Sequence, residues 1–191
     1  MQKNFTNFDI VKEENSTLES RLRTLDTRRD AFAELISKFS EPLYWQIRRL
    51  VINHDDTDDL LQNTFMKAWI SLDAFRGDAK LSTWLHKIAL NEALTFLDKQ
   101  KRHATERIDN ESHSVHQIVA DEWFDGDEAA AALRHAVESL PTKQQMVFNM
   151  KYFDEMKYEE IAEITGTSVG ALKASYHLAV KKIEQILQSS N

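Results

Sequence analysis

Two lysines and a histidine stand at four-residue steps near the end of the chain: Lys173, His177 and Lys181. On a helix, residues four apart are neighbours on one face. Residues 158–187 predict a short helix, a turn at Gly166 and a longer capped helix, which is the helix-turn-helix layout. The second helix of that motif enters the major groove of duplex DNA. The basic face therefore indicates DNA binding, although the solvated face of a plain helical hairpin has the same pattern.

A second group of polar and aromatic residues lies in FRGDAKLSTWLHKIALNEALTFLDKQKRH, residues 75–103. Aromatic rings beside a basic helix end are typical of surfaces that stack unpaired bases and hold phosphates. The spacing of Trp84 and Phe96 favours core positions for those two rings. Asn91 is a polar amide in an otherwise apolar helix. It suits either the recognition of a base edge or a hydrogen bond to a neighbouring backbone group.

A third group lies in TDDLLQNTFMKAW, residues 57–69. Asp58, Asp59 and Gln62 share or adjoin one exposed face of a predicted helix. The opposite face is apolar and is predicted to bury Leu61, Phe65, Ala68 and Trp69. The polar face suits a protein interface, while capping of the helix start explains both aspartates at least as well.

Groups that would support catalysis or metal binding are sparse in the sequence. Thr142, Ser168 and Ser175 have capping or surface explanations and no basic partner set. The chain has no cysteine and no glycine-rich phosphate loop. His113 and His116 lie in an acidic segment without an ordered framework for a metal. The sequence therefore predicts a protein that is not an enzyme and uses no cofactor or metal.

The elements that carry these residues are predicted to be helices. The chain has 191 residues with only 4 glycines and 2 prolines, which argues against turn-rich β folds. Helical periodicity begins at Arg28 and restarts at Ser40–Pro42. It resumes after a cap at Thr57 and again from Ser82. Four helices over about 75 residues can bury one small core.

A second helical set follows the acidic segment. An alanine-rich helix is predicted to end at Leu140, and Thr142 with Gln145 predicts a capping box for the next helix. A short helix then stops at Gly166, and Thr167 with Ser168 provides a cap that starts the last helix. The sequence thus predicts an all-α protein of two small helical domains.

The net charge of −7 comes from one part of the chain. Residues 104–130 contain 8 acids and 1 base, which leaves 23 acids and 23 bases elsewhere, because the totals are 31 and 24. We therefore expect an N-terminal arm at 1–27, helical domains at 28–103 and 127–188, and an acidic flexible linker at 104–126. No apolar run is long enough to cross a membrane and the start lacks a signal-peptide pattern, so we expect a cytoplasmic protein.

These segments together resemble one family, the extracytoplasmic function (ECF) sigma factors of the sigma-70 family, which are two-domain bacterial transcription initiation factors. Residues 28–103 are similar to region 2 through DDLLQNTFMKAW and through FRGD followed by TWLHKIALN. Residues 127–188 are similar to region 4 through LPTKQQMVFNMKYFDEMKYEEIAEITGTSVGALKASYHLAVKKI. The resemblance implies an alternative sigma factor that binds core RNA polymerase and directs promoter recognition and melting.

The resemblance also implies a division of roles. Region 2 would bind the β′ clamp helices of core polymerase through Asp58, Asp59 and Gln62. Capture of an unpaired base of the −10 promoter element, with its phosphates, would use Arg76, Lys80, Trp84, Asn91, Lys99, Lys101 and Arg102. Region 4 would contact the β flap of polymerase and read the −35 element as duplex DNA. Its recognition helix would use Ser168, Lys173, Ser175, His177 and Lys181.

Several positions differ from the family pattern. Many members carry arginines along the recognition helix and after the region 2 asparagine. In these two neighbourhoods this chain has Leu90, Ala174, Leu178 and Val180. Thr95 stands where an acidic or amide residue is expected. Because these cations are missing, we expect this chain to bind DNA weakly without polymerase. The resemblance also implies an inhibitory anti-sigma factor, which no residue of this chain identifies.

The acidic linker and two rival functions leave alternatives open. Extended, the linker reaches about 75–80 Å, enough to join domains on separated DNA elements. Its 6 acids within 104–126 either imitate nucleic acid in the polymerase channels or keep a solvated spacer extended. One rival function is a stand-alone helix-turn-helix regulator, which would need a dimer to reach two half-sites. The other is a sigma-like decoy that sequesters a regulator.

Overall fold

A computed structural model describes residues 18–108 and 128–189 of the chain. These residues form eight α-helices and one 3₁₀ turn, with no strand among them. None of the described helices is both long and apolar enough to cross a membrane. The chain divides into two compact units, residues 1–92 and residues 93–191. The predicted all-α fold is confirmed, and the predicted domain limits stay predictions.

The helices are numbered along the chain. The first unit contains α1 at residues 18–23, α2 at Leu25–Val51, α3 at His54–Ser71, a 3₁₀ turn at Leu72–Ala74 and the start of α4. The second unit contains the rest of α4, which spans Leu81–Ile108, then α5 at Glu128–Glu138, α6 at Thr142–Tyr152, α7 at Tyr158–Thr165 and α8 at Val169–Ser189. α4 therefore extends to residue 108 of the predicted linker. The rest of that linker, with His113 and His116, lies outside the described residues.

α2 is one continuous helix of 27 residues that contains Pro42. The predicted restart at Ser40–Pro42 is therefore wrong. A proline inside a helix removes one backbone hydrogen bond and costs about 3 kcal/mol. A buried stripe passes through this position at four-residue steps and consists of Leu35, Phe39, Leu43 and Ile47. Burial of the stripe offsets the cost of the proline.

α3 begins at His54, before the predicted start at Thr57. Asn53 caps the helix, because its side-chain oxygen accepts a hydrogen bond from Asp56 N at 3.1 Å. Thr57 is buried, and its hydroxyl donates to the backbone oxygen of Asn53 at 2.5 Å. Thr57 is therefore not the cap. Asp58 and Asp59 lie past the first turn of α3, so capping of the helix start does not explain them.

The buried face of α3 also differs from the predicted one. The residues that α3 buries are Thr57, Leu60, Thr64, Phe65 and Ala68. Leu61 is only half-buried, and Trp69 keeps 44% of its surface exposed. The two threonines enter the core because their hydroxyls donate to backbone oxygens four residues earlier. A pattern of apolar residues alone does not reveal such positions.

α1 contributes two core residues to the first unit. Leu18 and Leu22 lie one helical turn apart and are almost fully buried. Thr27 closes the bend between α1 and α2, because its hydroxyl donates to the backbone oxygen of Arg21 at 2.8 Å. The predicted N-terminal arm at 1–27 therefore contains a packed helix from Leu18 onward, and the residues before Leu18 lie outside the described chain.

The second unit packs α5, α6 and α8 around one apolar cluster. Its buried members are Ala136, Val137, Leu140, Phe148, Ala179 and Ile183. α6 begins at Thr142, directly after Pro141, and no side chain caps it. The predicted capping box is wrong, because Gln145 is buried within the unit and its backbone N–H donates to Pro141 O at 3.0 Å.

Candidate nucleic-acid and polymerase interfaces

α7 and α8 form the helix-turn-helix that the sequence predicts. Gly166 ends α7 in the left-handed conformation with a φ of 67°, which glycine adopts without steric cost. Ser168 caps α8, because its hydroxyl oxygen accepts a hydrogen bond from Ala171 N at 3.3 Å. The turn at Gly166 and the cap at Ser168 are both confirmed.

The residues predicted to contact duplex DNA lie on the accessible side of α8. Ser168, Lys173, His177 and Lys181 are exposed, and Ser175 is half-buried. The opposite side buries Leu172, Ala179 and Ile183. The structure therefore brings the cationic residues to one accessible face, and their contact with DNA stays a prediction.

Aromatic rings support this face of α8. Lys173 Nζ lies 5.7 Å from the centre of the Tyr158 ring, within the range of a cation–π contact. Tyr158 meets Tyr176 edge to face, and Tyr176 stacks on Phe148 with ring centroids 5.8 Å apart. Burial, followed by the nearby Tyr158 and Tyr152, raises the pKa of Tyr176 above its usual 10.0. The cluster joins α6, α7 and α8 and restricts the position of Lys173.

The predicted polymerase-binding residues are accessible on α3. Asp59 and Gln62 are exposed, and Asp58 is intermediate in exposure. Asp58 Oδ2 lies 3.7 Å from His54 Nε2. The other ring nitrogen of His54 lies 2.8 Å from the hydroxyl of Tyr44 in α2. This chain of contacts connects Asp58 with α2, and the binding of polymerase by these residues stays a prediction.

The same face of α3 continues into apolar residues that were not selected from the sequence. Met66 is 56% exposed and Ile70 is 74% exposed. They follow Gln62 at four-residue steps, so they lie on its face of the helix. We call this row the α3 stripe; it consists of Asp59, Gln62, Met66 and Ile70. Exposed large apolar side chains next to polar ones are typical of docking surfaces.

The segment between α3 and α4, residues 72–80, is called the α3–α4 loop. Arg76 and Lys80 are exposed on it, and Gly77 has a φ of 80°. Phe75 lies against Trp84 of α4, with ring centroids 4.9 Å apart, and this contact holds one side of the loop. A cavity of about 390 Å³ lies beside the loop and is lined by Arg23, Arg28, Leu72, Asp73, Phe75 and Arg76.

α4 presents the remaining predicted residues. Trp84 is half-buried, whereas Asn91 is exposed and lies between the buried Leu90 and Ala93. The Asn91 amide is therefore on the solvent side, where a ligand can reach it, and its role stays a prediction. The last turns of α4 carry three exposed cations, Lys99, Lys101 and Arg102.

Two family models match the chain in the order that the motifs predict. The model described as Sigma-70 region 2 matches residues 35–103, and the model described as Sigma-70, region 4 matches residues 130–183. The ECF RNA polymerase sigma factor SigW of Bacillus subtilis is 31% identical, over 78% of this chain and 84% of SigW. The chain belongs to the ECF sigma factors of the sigma-70 family.

Other relatives of this ECF sigma factor agree with that membership. The RNA polymerase sigma-H factor of Pseudomonas aeruginosa is 27% identical, over 94% of this chain and 96% of its own. A solved structure of the sigma factor RpoE from Bartonella quintana, in complex with the anti-sigma factor NepR, has a TM-score of 0.67 at 24% identity. That match covers 84% of this chain and 98% of RpoE, and it supports the fold.

As an alternative sigma factor, the protein directs transcription initiation by core RNA polymerase at promoter DNA. Sigma factors are initiation factors and, as a class, are not enzymes. The predicted family, function and principal partners are confirmed. All predicted site residues from Asp58 to Arg102 lie within the region 2 match, and those from Ser168 to Lys181 lie within the region 4 match. The role of each residue stays a prediction.

Proposed function

We infer that this ECF sigma factor uses three separate surfaces during initiation. The α3 stripe with Asp58 binds the clamp helices of core polymerase, and the α3–α4 loop with Trp84 and Asn91 receives an unpaired base of the −10 element. The exposed face of α8 reads the −35 element as duplex DNA, and region 4 also meets the β flap. The observation that carries the proposal is that most residues of each predicted set are exposed, on α3, on the α3–α4 loop with α4, and on α8.

The α3 stripe has the mixed chemistry of a protein interface. Asp59 and Gln62 provide a charge and an amide that fix the register of a partner helix. Met66 and Ile70 provide apolar surface, and the full burial of one such side chain contributes about 1.5–3 kcal/mol. Core polymerase is therefore expected to cover both halves of the stripe.

The α3–α4 loop and the start of α4 combine rings, cations and an amide. Phe75 and Trp84 form an aromatic pair at the edge of the loop, and stacking of one base on a ring contributes about 1–3 kcal/mol. Arg76 and Lys80 attract phosphates, and the exposed amide of Asn91 can donate to and accept from a base edge. Unpaired DNA is the ligand that needs all three kinds of group.

We further infer that an anti-sigma protein covers the α3 stripe when polymerase is absent. RpoE, which has a similar fold, is bound to the anti-sigma factor NepR in its solved structure. Met66 and Ile70 would otherwise expose apolar surface to solvent, together with the neighbouring Trp69. The inhibitor would compete with the clamp helices for the same residues. The free protein would therefore bind core polymerase more tightly than the protein bound to the inhibitor does.

The direct test supplies the purified protein to core polymerase that lacks any sigma factor. Transcription is then measured at physiological ionic strength on DNA fragments from the genome that encodes the protein. Promoter-dependent transcripts support the proposal. DNA binding without polymerase supports a stand-alone regulator, and the absence of both activities supports a decoy. The protein forms no bond itself, so transcripts depend on the core enzyme for catalysis.

A pair of variants tests the α3 stripe within the same assay. Gln62→Ala combined with Met66→Ala is expected to weaken core polymerase binding about tenfold, as for residues near the centre of an interface. Glu41→Ala is the matched control, because Glu41 is exposed on α2 and lies outside the stripe. Equal affinities of the two variants for the core enzyme would remove the stripe from the proposal.

A further inference from the structure

Two arginines that precede the matched region 2 contact the α3–α4 loop. Arg28 Nη2 lies 2.7 Å from Asp73 Oδ1, near the start of the loop. Arg23 Nη2 donates a hydrogen bond to the backbone oxygen of Arg76 at 2.9 Å, in the middle of the loop. The region 2 match begins at residue 35, so both arginines lie outside it.

A third contact lies where the loop ends. Glu19 Oε1 accepts a hydrogen bond from the backbone N–H of Leu81, the first residue of α4, at 3.3 Å. The first N–H groups of a helix have no partner within the helix, and a carboxylate there is electrostatically favourable. Residues 19–28 therefore hold the loop near its start, in its middle and at its end.

The segment that makes these contacts is itself anchored. Leu18 and Leu22 are almost fully buried, which fixes α1 on the first unit. The Arg28 side chain is 20% exposed, and its Nε donates to the backbone oxygen of Leu22 at 3.0 Å. One guanidinium group thus joins α1, α2 and the loop, and the segment can act as a fixed support.

The loop depends on these polar contacts because little of it is buried. Leu72 is buried, while residues 76–78 are exposed, and the two arginines line the cavity together with loop residues. Gly77 has a left-handed φ, and a Cβ at this position would collide with the Arg23 guanidinium. Arg23 therefore passes directly against the backbone of the loop and restricts its conformation.

We propose that Glu19, Arg23 and Arg28 are positioning residues of the −10 site, which hold the α3–α4 loop in the conformation that accepts an unpaired base. This inference rests on the proposed function of the loop. A loop that is ordered in advance avoids the cost of ordering during binding. Loss of the support therefore lowers discrimination between bases at the −10 element and leaves the α3 stripe and its affinity for polymerase unchanged.

The test compares Arg23→Ala with Arg29→Ala and Arg23→Lys in the full-length protein. Arg29 is exposed on α2 and makes none of the loop contacts, so its variant removes the same charge from the same segment. Lysine can still donate to the Arg76 oxygen, so Arg23→Lys is the rescue variant. The DNA probe is a promoter that the wild-type protein transcribes with core polymerase, beside copies with a substituted −10 base.

Arg23→Ala is expected to lower the ratio of open-complex formation on the original and substituted promoters about two- to tenfold, the loss expected for one hydrogen bond. Amide hydrogen exchange in residues 76–78 is expected to accelerate, while core polymerase affinity stays at the wild-type value. Arg23→Lys should recover most of the ratio, and Arg29→Ala should keep it.

Three results would contradict the positioning role or the proposed function. If Arg23→Ala matches Arg29→Ala in the promoter ratio while the wild-type protein is active, the positioning role is overturned and the proposed function stands. If the wild-type protein directs no promoter-dependent transcription with the core enzyme, the proposed function itself is overturned. Equal loss on the original and substituted promoters would indicate a general folding defect and would also overturn the positioning role.

Discussion

Lys173 contacts an aromatic ring before any DNA arrives. Its ammonium group lies over the ring of Tyr158, and that ring is packed against Tyr176. A long side chain loses about 0.5–1.5 kcal/mol of conformational freedom when it is immobilised at an interface. Because Tyr158 already restricts Lys173, part of this conformational freedom is lost on folding. Less of it therefore has to be lost when the cation binds DNA.

Lys173→Ala is expected to weaken promoter binding by the polymerase complex and to lower its salt dependence. Each phosphate contact contributes a slope of about −0.9 in log affinity against log salt, so one lost contact reduces the slope by that amount. Lys182→Ala is the matched control, because Lys182 lies about 180° around α8 from Lys173. The measurement is a salt titration of promoter binding; equal slopes for both variants would place Lys173 off the DNA.

Asn91→Ala is expected to impair melting and leave folding intact. The side chain is exposed, so the free energy of unfolding should change by at most about 0.5 kcal/mol. Open-complex formation on a duplex promoter should fall about tenfold if the amide contacts a base edge. Gln100→Ala removes an exposed amide about 180° around α4 from Asn91, so it serves as the control and should remain near wild type. Unchanged open-complex formation by Asn91→Ala would exclude its amide from the site.

Single residues were predictable where their chemistry is unusual for their position. The capping oxygen of Ser168 was predicted from the sequence, because a serine just before a helix is a preferred cap. Asn91 was selected as a polar amide in an apolar helix, and the structure exposes it. Met66 and Ile70 were missed, because an apolar residue on a helix is normally assigned to the core. Their exposure depends on the rotation of α3, which the buried threonines and Leu60 determine through packing.

At the scale of elements, α2 shows packing that overrides a local signal. Ser40 and Pro42 have the residue types of a helix start, yet the helix continues through both. The Ser40 hydroxyl donates to the backbone oxygen of Ile36 at 2.6 Å, so it bonds within the helix and caps nothing. The apolar stripe on either side of Pro42 was visible in the sequence. Whether burial of that stripe would outweigh the cost of the proline could not be read from the sequence.

Pro42→Ala is expected to raise the free energy of unfolding by about 1–2 kcal/mol. The substitution restores a backbone N–H, and hence a helical hydrogen bond, at an exposed position of α2. The unfolded chain also gains conformational entropy when the proline is lost, which offsets part of the added stability. Urea unfolding measures the change, and Glu41→Ala on the same exposed turn is the control. A lower stability for Pro42→Ala would mean that α2 is interrupted at this position.

The aromatic cluster predicts that the stability of the second unit depends on alkaline pH. The pKa of Tyr176 is raised in the folded state, so near pH 10 the unfolded chain loses this proton more readily than the folded one. Its contribution to stability is complete below the unfolded pKa and is lost as the pH rises through the folded pKa. We therefore expect the free energy of unfolding to fall more steeply above about pH 10 in the wild type than in Tyr176→Phe.

Urea unfolding at a series of pH values around 10 measures this difference. Tyr44→Phe, in the first unit, removes a tyrosine outside the cluster and should retain the steep wild-type dependence. If Tyr176→Phe and the wild type lose stability in parallel, the packing of Tyr176 against Tyr158 does not control its ionisation.

At the scale of the whole molecule, the excess negative charge is separated along the sequence from the residues proposed to bind DNA. The excess acids lie between residues 104 and 130, while the other residues hold equal numbers of acids and bases. Such separation was visible from the sequence alone, because charge depends on composition and requires no packing. The net charge therefore does not oppose DNA binding by α4 and α8, whose cations lie outside the acidic segment.

Neutralising the 6 acids of residues 104–126 with Asn and Gln tests whether they imitate nucleic acid in the polymerase. If the acids occupy a cationic channel that later receives RNA, Coulomb attraction holds the linker there and the linker competes with the growing RNA. Neutralising the acids removes that attraction, so the linker competes less and short abortive transcripts decrease. A matched variant replaces 6 exposed acids elsewhere in the chain. Promoter affinity is held equal by adjusting the protein concentration, and abortive and full-length transcripts are counted. An unchanged ratio in the linker variant would leave the acids with the simpler role of keeping a spacer extended through mutual repulsion.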